Sequence, residues 1–435
     1  MTASTAAAPS RAPRPPAADR SAHPTPRPGH GASLAGLAGD LWRYFVDADF
    51  RRTDAETLFT ALPVRAPVLG LPNFWVVSGY DAVRRLSTRP ELVMPPARFP
   101  AEVADRLPGF VDFFTRSLSF LPGPDHQRLR GVLGPHLSPA AVDGLLPLVT
   151  DLVTDLLGPA DGRPVDLVST VAEPLPVLVT AHLLGVDAVD HRWLTTRVAG
   201  LLAVLQTSFP GAGDRPAHPM DAAEFAELAE LAEHLVDSPA ASGRLLAGIQ
   251  TSCRAGDLTR DEATRLVLLL FMTGVDTVTT GLTNTVHVLL DHPGEWDRLR
   301  AGTVSAPALS AEALRVLTPS SFASRTVTTD LRIGGSTLRA GDAVLLCLAA
   351  ANRDPARYPD PGAFRPERTP AGSAAFGFGL HHCLGAALAG VQTTATLQVL
   401  ADRDVRRADD RPLPWRTDLT FRSPAALPVV LGGAR

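Results

Sequence analysis

The 435-residue chain has no lysine: all 41 of its basic residues are arginine. Set against 45 Asp and Glu they leave a net charge of −4, so there is no basic excess for a phosphate backbone and no nucleic-acid partner is expected. Cysteine is scarce as well. Cys253, Cys347 and Cys383 are too few and too scattered for a disulfide framework or a four-thiolate metal site, which points to a reducing, cytoplasmic setting. The longest uninterrupted apolar run, Ala343 to Ala351, is far below the ~18 residues of a membrane span, so the expectation is a soluble protein with no membrane contact. Low-complexity composition is lacking too, since 35 Gly and 40 Pro fall short of the ~25–30% of such chains.

What is present divides in two. Residues 1–33 hold seven prolines and no Leu, Ile, Val or Phe, and so read as a disordered Ala/Pro-rich tail without the apolar stretch of a secretory signal. Residues 34–435 carry no second linker of that kind and read as one large domain, mainly α with small β-sheets. Apolar residues at helical spacing predict a helix over 142–157, with Pro147 kinking it or delaying its start. Another is expected over 221–236, where Glu224, Glu227, Glu230 and Glu233 form a stripe that reads as a solvated face. Between it and a helix over 187–206 lies Thr207 to Pro219, rich in Pro and Gly, a candidate lid. The longest helical pattern, 258–290, opens with Thr259 and Glu262 in capping-box spacing and is apolar on nearly every face. Strand patterns are short: 74–77, 331–348 with Gly334, Gly335 and Gly341 as turns, and 419–431.

The strongest local signal is Phe376-Gly-Phe-Gly-Leu-His-His-Cys-Leu-Gly385, followed at once by a helical run through Leu400. The glycines permit a tight turn, and a cysteine at a helix N-terminus favours thiolate, which serves as a nucleophile or a metal ligand. Zinc fits poorly, because His381, His382 and Cys383 are adjacent and no second ligand pair exists. A nucleophile would need a base with an orienting partner, which the sequence does not single out. A dinucleotide loop would need a third glycine and a preceding strand. A merely structural cysteine would leave the flanking glycines unexplained.

This segment resembles the FGxGxHxCxG haem-thiolate loop of the cytochrome P-450 family at every fixed position. Glu312-Ala-Leu-Arg315 is similar to the family's E-x-x-R helix, Phe364-Arg-Pro-Glu-Arg368 to its F-x-P-x-R segment, and Ala351-Asn-Arg-Asp-Pro355 to a bacterial stretch, with order and spacing agreeing from about 122 to 400. The resemblance implies a single haem domain binding haem b, with Cys383 as the axial thiolate and metal ligand, Phe376 beside the sulfur, and Gly377, Gly379 and Gly385 shaping the loop. It implies that His126, Arg130, Arg325 and His381 hold the propionates, and that Glu312, Arg315 and Arg368 form a structural brace. On the long helix, Thr273-Gly-Val-Asp-Thr277 is similar to the oxygen-activating segment. There Gly274 would open a groove over the iron and the Thr277 hydroxyl would bond back to the Thr273 carbonyl, loosening the helix. Thr277 and Asp276 are then the catalytic residues that bring protons to the distal oxygen.

The implied reaction inserts one atom of O2 into a small organic substrate, free or carrier-tethered, in bacterial secondary metabolism. With no iron–sulfur cysteine cluster and no flavin or nicotinamide fingerprint, electrons must come from a ferredoxin-type donor and its reductase. A monomer is expected. The chain departs from the family pattern at Thr273 (usually Ala or Gly), Val278 (often Thr or Ser), Gly390 and Gln392 (usually Arg and Glu). Gly390 and Gln392 weaken charge on the face near Cys383 where a partner would dock, while Thr273 and Val278 keep open a haem-thiolate enzyme of non-hydroxylating type (cyclisation, coupling or nitrogen transfer), with a non-catalytic haem- or ligand-binding protein as a third reading. The substrate pocket is expected from residues near 90–119, 201–210, 269–277, 321–323 and 419–421.

Overall fold

The computed structural model describes residues 33–432 apart from 98, 122, 160–161, 187–190, 208–219, 239–242, 369–371 and 417. The expected tail and nearly all of the expected lid therefore lie outside the described residues. The dominant element is a 31-residue helix, Arg260–Leu290. Thr259 caps it, accepting from the Glu262 N–H while the Glu262 carboxylate takes the Thr259 N–H, so two otherwise orphaned donors are satisfied at once. By length and composition this helix could cross a membrane, but 72% of its apolar window is buried inside the protein. The main core forms around it. Leu266, Val267, Phe271, Leu282, Val286 and Leu289 pack with Leu175 and Val179 of helix Pro174–Leu184, Leu228 of helix Ala222–Asp237, and Leu397 and Leu400 of helix Ala386–Asp402.

Helix Leu146–Leu157 starts later than periodicity alone predicts. Pro147 occupies its first turn, where the missing N–H costs nothing, and a short helix and a 3-10 turn precede it. Helix Ala222–Asp237 is capped by Asp221 and Glu224. Its acidic stripe is not a plain solvated face: Arg197 bonds Glu224 at 2.7 Å and Glu227 at 2.6 Å, and Arg260 bonds Glu233 at 3.0 Å and Asp237 at 2.7 Å.

Beta structure is sparse and built from distant segments. The largest sheet has five strands in the order Val68–Gly70, Phe74–Val77, Ala343–Cys347, Phe322–Val327, Leu92–Val93. Phe74–Val77 runs parallel to Ala343–Cys347, and the other pairs are antiparallel. The expected 331–348 segment resolves into Leu331–Ile333, Ser336–Leu338 and Ala343–Cys347, with Gly334 and Gly341 in left-handed turns at φ +56° and +92°. Of the expected 419–431 strand only Pro428–Val430 forms; Phe421 and Pro424 make isolated bridges to Ser320 and Trp415 instead, and the Arg422 carbonyl accepts from Asn284 of the long helix.

Candidate functional site

The cysteine segment folds as a closed loop. A 3-10 turn over Ala374–Phe376 ends at Gly377, whose φ of +66° and ψ of −166° only glycine adopts readily. Gly379 follows at φ +71°, and a Cβ there would sit 2.5 Å from the Ser87 carbonyl oxygen. The Cys383 N–H then donates to the Phe376 carbonyl at 2.9 Å and closes the loop, and helix Ala386–Asp402 begins just beyond Gly385. Two outside side chains hold it in place. Asn352 accepts from the Ala374 N–H at 2.7 Å, and Arg130 donates to the His382 carbonyl at 2.7 Å.

Cys383 is exposed at its surface, yet the protein packed around it still strips hydration, and this desolvation pushes its thiol up. The Gly385 N–H and the Arg130 charge pull the other way without prevailing. A helix terminus alone predicts thiolate; here an additional cation at the sulfur is needed to hold one.

Behind the loop stands a charged brace. Glu312, on helix Ala306–Val316, takes Arg315 Nε and Nη2 at 2.8 Å each and Arg368 Nε at 3.0 Å. Arg315 also donates to the carbonyls of Asn352, Pro361 and Ala363. Arg353 of the neighbouring stretch pairs with Glu56 at 3.1 Å. Every charge in this region has an opposite charge beside it.

In front of the loop the arrangement is reversed. His126 and Arg130 lie one turn apart on helix Gly123–Leu137, Arg325 projects from strand Phe322–Val327, and the His126 and His381 rings are 4.4 Å apart. Among the described residues none of these four groups is paired with a carboxylate. His126 is 2% exposed, and its Nδ1 has no hydrogen-bond partner. Burial, then the Arg130 charge, holds His126 below the usual histidine range. Burial, then Arg325, His126 and Arg130, pushes His381 down to about 4. Burial likewise lowers Arg130 and Arg325. Such a cluster is costly unless an anion enters it.

On the long helix, Thr273 and Thr277 are exposed although Phe271, Met272, Val275 and Asp276 beside them are buried, so the two threonines face an opening in the core. The Thr277 hydroxyl donates to the Thr273 carbonyl at 3.0 Å, as the sequence suggests, while the helix stays α throughout. Gly274, half-buried between the two threonines, also faces helix Pro174–Leu184, where a Cβ would meet the Thr180 hydroxyl at 3.4 Å. Asp276 is not a loose acid. Arg416 bonds it with both terminal nitrogens, one at 3.0 Å, and also reaches Thr280, while its Nε holds Asp418 at 2.8 Å. Asn284 and His287 continue this contact, donating to the Arg422 carbonyl and packing against Trp415 respectively. Arg416 is a functional neighbour that sequence reading missed, 140 positions from its partner. Of the expected pocket residues, Ser321 is fully buried and bonded to the Tyr44 hydroxyl, so it lines no opening.

The donor set fits one kind of group. Among the described residues no cluster of three or more His, Cys, Asp or Glu could cage a metal ion, whereas one exposed cysteine suits an ion held mainly by something else. The two arginines without acid partners, together with the orphaned His126 nitrogen, suit a dianionic edge. Gly385 adds a third sign: its backbone is open to any residue, and a Cβ would meet nothing of the protein within 4 Å. A flat ring lying on the loop would account for the glycine. Together these define a cysteine-ligated haem protein.

The comparisons agree. A family model described as cytochrome P450 matches residues 307–401. The chain is 32% identical over 336 residues, covering 76% of each chain, to 20-oxo-5-O-mycaminosyltylactone 23-monooxygenase of Streptomyces fradiae. It is 30% identical to the mycinamicin IV hydroxylase/epoxidase of Micromonospora griseorubida, covering 92% of this chain and 96% of the relative. The crystal structure of CalO2 superposes with a TM-score of 0.77 at 30% identity, over 89% of this chain and 98% of that one. The chain belongs to the cytochrome P450 family: it is a haem b-dependent monooxygenase with that family's fold.

Proposed function

We propose that residues 34–435 form one haem domain that inserts a single oxygen atom into a C–H or C=C bond of a small organic substrate of bacterial secondary metabolism, working in the cytoplasm. The observation that best supports it is the acid-free group of buried His126 and Arg325 and half-buried Arg130 and His381 beside an exposed cysteine. Cys383 would ligate the iron, with Gly377, Gly379 and the Phe376 carbonyl fixing its loop and Gly385 leaving room above it, and the two arginines and two histidines would hold the propionates by charge and hydrogen bonds. When bound, the haem supplies dioxygen activation, which a thiolate ligand favours by donating charge toward the O–O bond.

The chain's own part is proton handling and positioning. Thr277 keeps its hydroxyl proton on the Thr273 carbonyl and turns oxygen lone pairs to the opening, where they can order water. Asp276, held as a carboxylate, can relay a proton toward that site only after Arg416 frees one of its oxygens to take a proton up. Gly274, half-buried on the same side of the helix, would leave room over the haem. Electrons would arrive from a ferredoxin-type protein and its reductase, since the chain carries no other redox motif.

The test is Cys383→Ala. The reduced carbon monoxide complex of the wild type should show the red-shifted Soret band of thiolate ligation, and the variant should lose it entirely. Retention of the band in the variant would remove Cys383 as the ligand.

A further inference from the structure

We infer that Thr273 is a specificity-determining residue that selects substrates carrying an O–H or N–H donor, by offering them a hydroxyl oxygen that can only accept. The inference rests on the haem-site reading above and names the substrate class for it. Along the long helix the side that faces the opening runs Leu270, Thr273, Gly274, Thr277, Val278, all exposed or half-buried while their neighbours are buried. Only the two threonines on it carry polar side chains. The Thr273 hydroxyl donates to the Leu269 carbonyl at 2.8 Å, and the Thr277 hydroxyl to the Thr273 carbonyl at 3.0 Å.

Each proton is thus committed to the backbone, and each oxygen presents lone pairs alone. A carbonyl or ether oxygen of a ligand set against Thr273 would meet another acceptor and gain nothing, whereas a hydroxyl or amine would be bound. Thr273 sits one turn, ~6 Å along the axis, from Thr277, so a donor it holds lies within a small molecule's length of the reacting position. The remaining partly exposed side chains, Leu270 and Val278, are apolar and pack on the main core, so they supply shape and no competing hydrogen bond.

The experiment uses the haem-loaded protein and azole probes, whose ring nitrogen ligates haem iron and shifts the Soret band to the red. Dissociation constants are measured for 4-phenylimidazole and its 2-, 3- and 4-hydroxyphenyl analogues with the wild type, Thr273→Val and Thr273→Ser. At least one hydroxyl isomer should bind the wild type about five-fold more tightly than the parent. Thr273→Val, which keeps the shape and removes the oxygen, should erase that preference while leaving parent affinity within about two-fold, and Thr273→Ser should restore it. Equal binding of all four probes by the wild type, or a preference that survives in Thr273→Val, overturns the inference and leaves the haem site standing. Absence of any red shift in the wild type overturns the haem-site reading, and this inference with it.

Discussion

Two arginine-rich regions flank the Cys383 loop, and they obey opposite rules. Behind it, Arg315 and Arg368 share Glu312, and Arg353 has Glu56. In front of it, among the described residues, Arg130 and Arg325 find only carbonyls and the Met94 sulfur, and His126 leaves a ring nitrogen with no partner. Each region mixes buried with half-buried side chains, so solvent does not explain the difference. The paired region is complete as a piece of polypeptide. The other is completed by something that brings negative charge. The lesson is that buried charge marks a ligand site when its counter-charge is missing from the chain, and marks architecture when it is present.

The largest way to break this contrast is Glu312→Ala, which strands Arg315 and Arg368. It should cost about 3–5 kcal/mol, read as a thermal midpoint lowered by several degrees in apoprotein and haem-loaded protein alike. The double change Arg130→Leu and Arg325→Leu should do the reverse. Apoprotein stability should change little, because the buried acid-free charge of Arg325 is removed while the Arg130 bond to the His382 carbonyl is lost, and haemin titration should show affinity at least about tenfold weaker. Equal damage to apoprotein by both sets of changes would dissolve the distinction.

Smaller effects come from the loop glycines. Gly379→Ala, at positive φ and against the Ser87 carbonyl, should cost roughly 1–3 kcal/mol in the apoprotein. Gly385→Ala should be near neutral there and weaken only haem uptake. The smallest effect is in pH. His381 and His126 titrate below their unfolded value, so the apofold is fully favoured above about pH 6.5 and loses stability as pH falls from there toward 4. Anionic propionates would raise both values, so melting curves of the loaded protein should be less sensitive across that window. His287, also down to about 4 by burial, sets a background common to both forms.

These contrasts also show where the sequence was readable. The ligand loop, the Glu312–Arg315 pair and the start of the long helix were legible because each is specified by residues within a dozen positions of one another, as with Thr259 and Glu262 at the cap. The sheet was not. Val68–Gly70 and Leu92–Val93 are too short to show alternation, and Leu92–Val93 pairs with Phe322–Val327, far along the chain. The acidic stripe misled for the same reason, its partners Arg197 and Arg260 belonging to other helices. Within the site, the two arginines and two histidines could be named from their motifs. That Asp276 is clasped by Arg416 could not, because nothing local to either residue encodes the other. Gly274 was visible as a glycine, but the direction of its missing side chain, toward Thr180, is a property of helix packing.

The clasp between the 407–422 segment and the long helix has a consequence for biosynthesis. Arg407 bonds Asp291, Arg416 bonds Asp276, and the Arg422 carbonyl receives Asn284, so the middle of the protein depends on residues translated more than a hundred codons later. While the nascent chain is still growing, that stretch of helix lacks these clasping partners. The interior should therefore lock only after the 407–422 segment has cleared the ribosome, and stalling in that interval would leave an apolar rod exposed to whatever binds unfinished chains.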